Sequence, residues 1–296
     1  MSLIEYTLDG KIDKVEQAIQ RFKSFEPEEG YFLAFSGGKD SVVIKRLAEM
    51  AGVKFDAHYS VTSVDPPELV RFIKSMPDVQ RDIPTYPDGR PITMWNLIPK
   101  KKMPPTRLVR YCCDKLKESA GVGRITVTGV RWDESVRRKN NRHLIHVDGA
   151  NKTRRVFNFD DDEAKRTVEQ CYRTRKTLLN PIIDWTDEDV WEFIKVENVP
   201  CCGLYDSGFS RLGCIGCPMN AKAEIELEMY PKYKEAYIRA FDRMLAAMRE
   251  SGVNPKRTWN TGEEVMDWWL GKTPAPKELE GQLMMELEET DELDQR

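Results

Sequence analysis

The stretch Tyr31-Phe-Leu-Ala-Phe-Ser36-Gly-Gly-Lys-Asp-Ser41-Val-Val-Ile-Lys45-Arg-Leu-Ala-Glu-Met50 decides the fold. Tyr31 to Phe35 is an unbroken apolar run, the mark of a short strand buried on both faces. From Ser41 to Met50 the residues Val42, Val43, Leu47 and Ala48 fall on one face of a helix. Between strand and helix stand two glycines, Gly37 and Gly38. They let the backbone turn tightly and approach a ligand with no Cβ in the way. The helix that follows offers free N–H groups and the positive end of its dipole. Lys39 adds a mobile charge, and Ser36 and Ser41 add hydroxyl donors. Ser36 to Ser41 therefore suits a phosphate or pyrophosphate group. The glycine spacing is not that of the G-x-x-x-x-G-K-[ST] loop.

Outward from this unit the pattern alternates. Apolar Ile12, Val15, Ile19 and Phe22 predict an amphipathic helix over 10–24, and Lys54 to Ser60 reads as a strand. Pro66 to Ser75 reads as a helix opened by proline. Residues 77–105 carry seven prolines and no clear period, so they are expected to be mostly irregular. Arg124 to Gly129 is a β-branched strand. Asp187 to Glu197 is a helix with an acidic first turn, capped by Thr186. Trp185, Val190 and Trp191 are expected in the core. This alternation predicts an α/β fold, a mostly parallel twisted sheet flanked by helices. Residues 222–250 and 259–270 show helical periodicity without strand signals, a helical C-terminal section. The expected organisation is an N-terminal helix in 1–25, a nucleotide-binding α/β domain over 26–221, helices over 222–272, and an acidic tail over 273–296.

Composition narrows the function classes. The 296 residues carry a formal charge of −3 and 40% apolar residues, which fits a globular protein and not a polycation. No run of 18 apolar residues occurs, so no membrane span is expected. Met1 to Glu5 lacks the pattern of a secretory signal. Seven cysteines are too few for a disulfide-dense secreted fold, and the expected compartment is the reducing cytoplasm. They are unevenly placed: Cys112-Cys113, Cys201-Cys202, the C-x-x-C of Cys214 and Cys217, and Cys171 alone. Such spacing suggests metal or redox chemistry before structural disulfides. Cys171 reads as a small buried hydrophobe.

The phosphate loop resembles the PP-loop of ATP pyrophosphatases, which cleave ATP between its α and β phosphates. Gly129-Val130-Arg131-x-x-Glu134-Ser135-x-x-Arg138 is similar to an element of the phosphoadenosine phosphosulfate (PAPS) reductase family, a branch of that superfamily. So are Pro181 to Trp191, Leu204-Tyr205-Asp206-x-Gly208-Phe209 and Gly213-Cys214-x-x-Cys217. Thr62-x-x-x-x-Pro67-Glu68 resembles the family's D-T-G-x-x-x-P-E-T element, with Val61 and Ser63 in place of its acidic residue and glycine. The resemblance spans roughly residues 28–220. It implies a PP-loop, Rossmann-like fold in which Ser36, Gly37, Gly38, Lys39, Asp40 and Ser41 hold the nucleotide with Gly129, Arg131 and Arg138. Lys39, Asp40 and Arg131 are its implied catalytic residues.

Within that family a C-C…C-x-x-C set occurs in adenosine phosphosulfate (APS) reductases and DNA phosphorothioation proteins. It implies a [4Fe–4S] cluster on Cys112, Cys113, Cys214 and Cys217. A four-cysteine zinc site is the chemical rival. Adjacent thiolates serve different irons of a cubane more readily than one tetrahedral ion. Arg107, Arg110, Lys115 and Lys117 give the first pair a cationic surround.

Sulfonucleotide reductases use a cysteine near the C-terminus, and none follows Cys217. They also tend to carry a degenerate phosphate loop, whereas this one is intact. The expected chemistry is therefore ATP-dependent adenylation with Mg²⁺ and pyrophosphate release, coupled to sulfur transfer to an acceptor. The sulfur would come from a partner cysteine desulfurase or thiol donor. Two alternatives stand beside it: reduction of APS or PAPS with an unusual thiol donor, and a non-catalytic nucleotide-binding Fe–S sensor. Residues 131–180 hold thirteen basic and eight acidic groups, which permits a nucleic-acid or phosphorylated acceptor. Cys201 and Cys202 read as inert or as relay thiols. Nothing in the sequence sets the oligomeric state.

Overall fold

A computed structural model describes residues 3–7, 10–118, 120–121, 123–148, 154–158, 161–171, 176–252 and 259–274. The acidic stretch at 278–295, parts of the basic 131–180 segment and the Cys171 side chain lie outside the described residues.

In chain order the elements begin with β1 (Ile4–Thr7), β2 (Gly10–Asp13), α1 (Lys14–Ser24), β3 (Tyr31–Ala34), α2 (Lys39–Ala51), β4 (Phe55–Ser60), α3 (Pro67–Lys74) and β5 (Val79–Asp82). Next come α4 (Met94–Lys101), α5 (Tyr111–Cys113) continued by one π-turn over Asp114–Glu118, β6 (Ile125–Val127), a 3₁₀ turn (Trp132–Glu134), α6 (Val136–Asn141), β7 (Ile145–Asp148), β8 (Arg154–Phe157) and α7 (Asp162–Cys171). The last are β9 (Thr177–Leu179), α8 (Asp187–Val196), α9 (Ala223–Met229), α10 (Pro231–Glu250) and α11 (Gly262–Trp269). The chain divides into two compact units. The first is Met1–Ser60, Pro67–Asp82 and Ser119–Leu212; the second is Val61–Pro66, Ile83–Glu118 and Gly213–Arg296.

In the first unit seven strands are ordered β5-β4-β3-β6-β9-β7-β8. Five of them, β5 through β9 in that order, are parallel, and β7 runs antiparallel to both β9 and β8. This is the mostly parallel α/β sheet that the alternating pattern predicts. Tyr31 and Leu33 of central β3 are fully buried, as an apolar strand covered on both faces requires. From β3 the chain steps to β4 and β5 on one side, then returns to β6 on the other. That reversal puts the topological switch point at the carboxyl ends of β3 and β6, the place where α/β sheets bind ligands. Helix α2 starts there.

Polar ties lock α1 to the turn before α8. Arg21 clamps Asp184 through two hydrogen bonds of 2.8 and 2.7 Å and donates to the Pro181 carbonyl at 2.8 Å. Lys14 pairs with buried Asp189 at 2.7 Å.

Several expectations are corrected. The helix expected over 10–24 begins only at Lys14, and Ile12 sits in β2, paired with β1. Asp13 explains the boundary: its carboxylate accepts from the Val15 and Glu16 amides and caps the helix. Residues 77–105, expected to be mostly irregular, hold β5 and α4. Asn96 closes a capping box with Thr93 at the start of α4. Pro99 cannot donate to the Trp95 carbonyl one turn back, and Arg243 donates to that carbonyl at 2.8 Å instead. The periodic run 222–250 is two helices, broken at Tyr230, with Pro231 opening the second. Trp191 is 37% exposed and stands edge-on to Tyr205, whereas Trp185 and Val190 are fully buried as expected.

The second unit is helical. Val64, Leu97, Ile98, Ile215, Phe241 and Met244 are among the buried residues of its core. Trp269 fixes α11 by donating to the Pro105 carbonyl at 2.6 Å.

Candidate active site

The loop at the end of β3 takes the form its glycines allow. Gly37 has φ +75°, and a Cβ there would lie 2.6 Å from Leu69 of α3. Gly38 is the N-cap of α2 and supplies no side-chain cap, so the first amides of α2 depend on outside acceptors. Ser41 donates to the Gly38 carbonyl at 2.8 Å, and Ser36 donates to Ser41 at 3.4 Å. These two bonds brace the turn from within.

Lys39 is buried yet charged at its tip. Its ammonium is 3.0 Å from Asp187 and donates to the Ser210 carbonyl at 3.1 Å, with Trp191 beneath it at 5.9 Å. Its backbone N–H donates to the Tyr205 hydroxyl at 2.7 Å.

Arg131 is only 2% exposed and spends its fork inside the unit. Nε donates to Asp40 at 2.7 Å, Nη2 to Asp187 at 2.9 Å and Nη1 to the Trp185 carbonyl at 3.3 Å. Its geometry orients two carboxylates at the mouth of the loop. Burial opposes ionisation of Asp187, but the Lys39 hydrogen bond and the Lys39 and Arg131 charges outweigh it. The carboxyl is held below its ordinary range. Gly129 is there because α2 comes close: a Cβ would sit 2.9 Å from Asp40 Cβ and 3.0 Å from its carbonyl oxygen.

Arg138 lies beside the same mouth, paired with Glu134. Burial first, then the charges of Arg211 and Arg142, pull its guanidinium down to about 10. The like charges of Arg211, Arg142 and Arg131 act on Arg138, and such repulsion favours an anion among them. Arg211 has no ion pair among the described residues. Sequence reasoning assigned no role to Arg142, Arg211, Asp187 or Tyr205. Asp187 read only as first-turn acid on α8, and Tyr205 as part of a family motif without a role.

Cys112, Cys113, Cys214 and Cys217 belong to the second unit, and all are free and partly buried. Cys112 and Cys113 are hydrogen-bonded to each other, which pushes Cys112 up and Cys113 down. Arg110 donates to the Cys113 sulfur at 3.4 Å. Burial pushes Cys214 up to about 11, against the opposing pull of Lys117. Tyr237 donates to the Ile215 carbonyl at 3.0 Å. After burial, the charges of Cys214, Cys217 and Cys112 raise its phenol furthest. Buried Glu226 holds the C-x-x-C turn, accepting from Gly216 at 3.3 Å and from Asn220 at 2.7 Å. Among the described residues, no three His, Cys, Asp or Glu side chains form a single-ion site. Thr62 lies beside the set, donating to Asp65 at 2.6 Å and 3.8 Å from the Cys214 sulfur. Ser63, in place of the family's glycine, holds φ +68°. Cys201 and Cys202 belong to the first unit.

A parallel sheet with an S-G-G-K-D-S turn at its switch point defines a PP-loop protein. Residues 30–220 match the model of the phosphoadenosine phosphosulfate reductase domain, well over half the chain, and the chain belongs to that family. An uncharacterized protein of Methanocaldococcus jannaschii is 23% identical over 290 residues, 94% of this chain and 62% of that protein. The adenosine 5'-phosphosulfate reductase of Neisseria meningitidis serogroup A is 29% identical over 114 residues, 38% of this chain and 39% of the relative. That of Oceanobacillus iheyensis is 33% identical over 91 residues, 31% and 28% of the two chains. This chain thus spans less than two thirds of the length of these relatives. Two solved structures are similar more loosely. Candida glabrata FMN adenylyltransferase has a TM-score of 0.43 and 15% identity, covering 73% of this chain and 72% of that one. Candida auris PAPS reductase has a TM-score of 0.41 and 15% identity, covering 67% and 87%.

Proposed function

We propose that this chain binds ATP at Ser36 to Ser41 and cleaves it between the α and β phosphates to adenylate an acceptor, which then receives sulfur. The observation that carries the reading is the intact loop at the switch point, with Lys39 and the start of α2 at its end and Arg131 fixing Asp40 beside it. An acceptor oxygen attacks the α phosphorus and loses its proton, and the bond to the leaving pyrophosphate breaks. Lys39 and the loop N–H groups stabilise the charge that develops on that pyrophosphate. Arg131 holds Asp40 and Asp187 in place, and Asp40 would help to hold a Mg²⁺ that would offset phosphate charge. A persulfide from a desulfurase or other thiol donor then displaces AMP, and a second thiol reduces the disulfide so formed.

The four thiols fit a [4Fe–4S] cluster better than a single ion. All four belong to the second unit, neighbouring thiolates such as Cys112 and Cys113 suit separate irons, and Arg110 and Lys117 lend positive charge to the sulfurs of Cys113 and Cys214. Cys112, Cys113, Cys214 and Cys217 would hold it, and with all four irons ligated it would supply charge and structure. The test of the function is pyrophosphate release from ATP, assayed with candidate nucleic-acid and phosphorylated acceptors. Sulfite release from APS or PAPS without any pyrophosphate from ATP would favour the reductase reading and sink this one.

A further inference from the structure

Tyr205 meets the phosphate loop in a way the proposed reaction does not yet use. Its oxygen accepts the N–H of Lys39, the first residue of α2, at 2.7 Å. That bond occupies the oxygen as acceptor and leaves the phenol's own hydrogen to be donated. Among the described residues it has no acceptor. The ring is held from two sides. Trp191 packs edge-on to it at 5.1 Å, and a run of tight turns carries it, with Tyr205 N–H donating to Cys202 and Gly208 N–H to Tyr205. A side chain on Gly38 would come within 3.4 Å of both Ser36 Oγ and the phenol oxygen, so the three groups ring one turn of the loop. The same segment reaches Lys39 again through the Ser210 carbonyl.

We infer that Tyr205 is a phosphate ligand: its hydroxyl takes the Lys39 amide proton in a hydrogen bond and donates its own to a phosphate oxygen of the nucleotide. This rests on the reading of Ser36 to Ser41 as the phosphate site. It extends the loop by one neutral donor supplied from a segment far along the chain. Burial keeps the phenol protonated through the working range, as a donor must be. A ligating hydroxyl of this kind recognises the tetrahedral oxyanion common to ATP and free pyrophosphate.

The experiment is calorimetric titration of wild type and Tyr205→Phe with Mg-ATP and with inorganic pyrophosphate, alongside ligand-free melting curves. The expected result is binding roughly tenfold weaker in the variant for both ligands, the usual loss for a hydrogen bond to a charged group. Equal binding by the two proteins overturns the inference and leaves the phosphate site standing. Tighter binding by the variant also overturns it, because the phenol then blocks the loop. No binding by wild type overturns both. If the variant melts far below wild type, a crystal structure of wild type with pyrophosphate decides instead. A phenol oxygen within hydrogen-bond reach of a phosphate oxygen supports the inference, and one beyond reach overturns it.

Discussion

Lys39 and Gly129 are the residues whose replacement is most informative. Lys39→Met removes the ammonium at the loop and leaves a side chain of similar length. Pyrophosphate release should fall about 100-fold or more, the loss typical of one transition-state donor, with a lower melting temperature near neutral pH because the pair with Asp187 is lost. Gly129→Ala places a methyl against the backbone of Asp40. Something must shift, and the cost should be about 1–3 kcal/mol of stability in denaturant unfolding, with activity lost through a displaced Asp40. Asp187 gives a pH signature. Its carboxyl is held below its ordinary value, so the ion pairs with Lys39 and Arg131 add stability above the usual carboxylate range and lose it as pH falls through the lowered value. The melting temperatures of wild type and Asp187→Asn should therefore differ near neutral pH and converge in acid.

At the scale of elements, α8 shows how a local signal and a distant function share residues. Thr186 accepts from the Asp189 amide at 3.2 Å, and Asp189 accepts from the Thr186 amide at 2.8 Å, a reciprocal cap. Thr186→Ala should cost about 1 kcal/mol by chemical denaturation. Because α8 also presents Asp187 and Trp191 to the loop, the same variant should raise KM for ATP more than a distant cap removal would. Periodicity found α2 and α8 to within a residue or two because both carry apolar stripes and clear starts. It missed β7, β8 and β9, since three- and four-residue strands hold too few residues for alternation to show. Pro-rich 77–105 misled for a related reason. Its prolines fall before β5, between β5 and α4, after α4 or, for Pro99, in the last turn of α4, and punctuate elements without removing them.

At the scale of the whole molecule, the chain crosses between its two units several times, and the cysteine set depends on that path. Residues 112–113 and 214–217 meet in the second unit although the intervening chain builds much of the first. Replacing any one of Cys112, Cys113, Cys214 and Cys217 by serine should remove iron and sulfide from anaerobically purified protein and bleach its visible absorption. Cys201→Ser should leave both intact. Zinc at one equivalent with no sulfide would instead mark a single-ion site.

What the sequence by itself determined is the phosphate-loop unit, with its apolar strand, glycine turn and capped helices, and, in the second unit, the C-C…C-x-x-C spacing. Those features are local, written in periodicities of two and 3.6 and in residues that only particular backbone shapes accept. Only the tertiary structure decided where the charges go. Arg131 turns inward to Asp40 and Asp187, Arg142 and Arg211 act on Arg138, and Tyr205 meets the Lys39 amide from 166 residues away. Strand order and helix packing place these groups, and a charged side chain takes whichever partner the folded chain sets within a few ångströms.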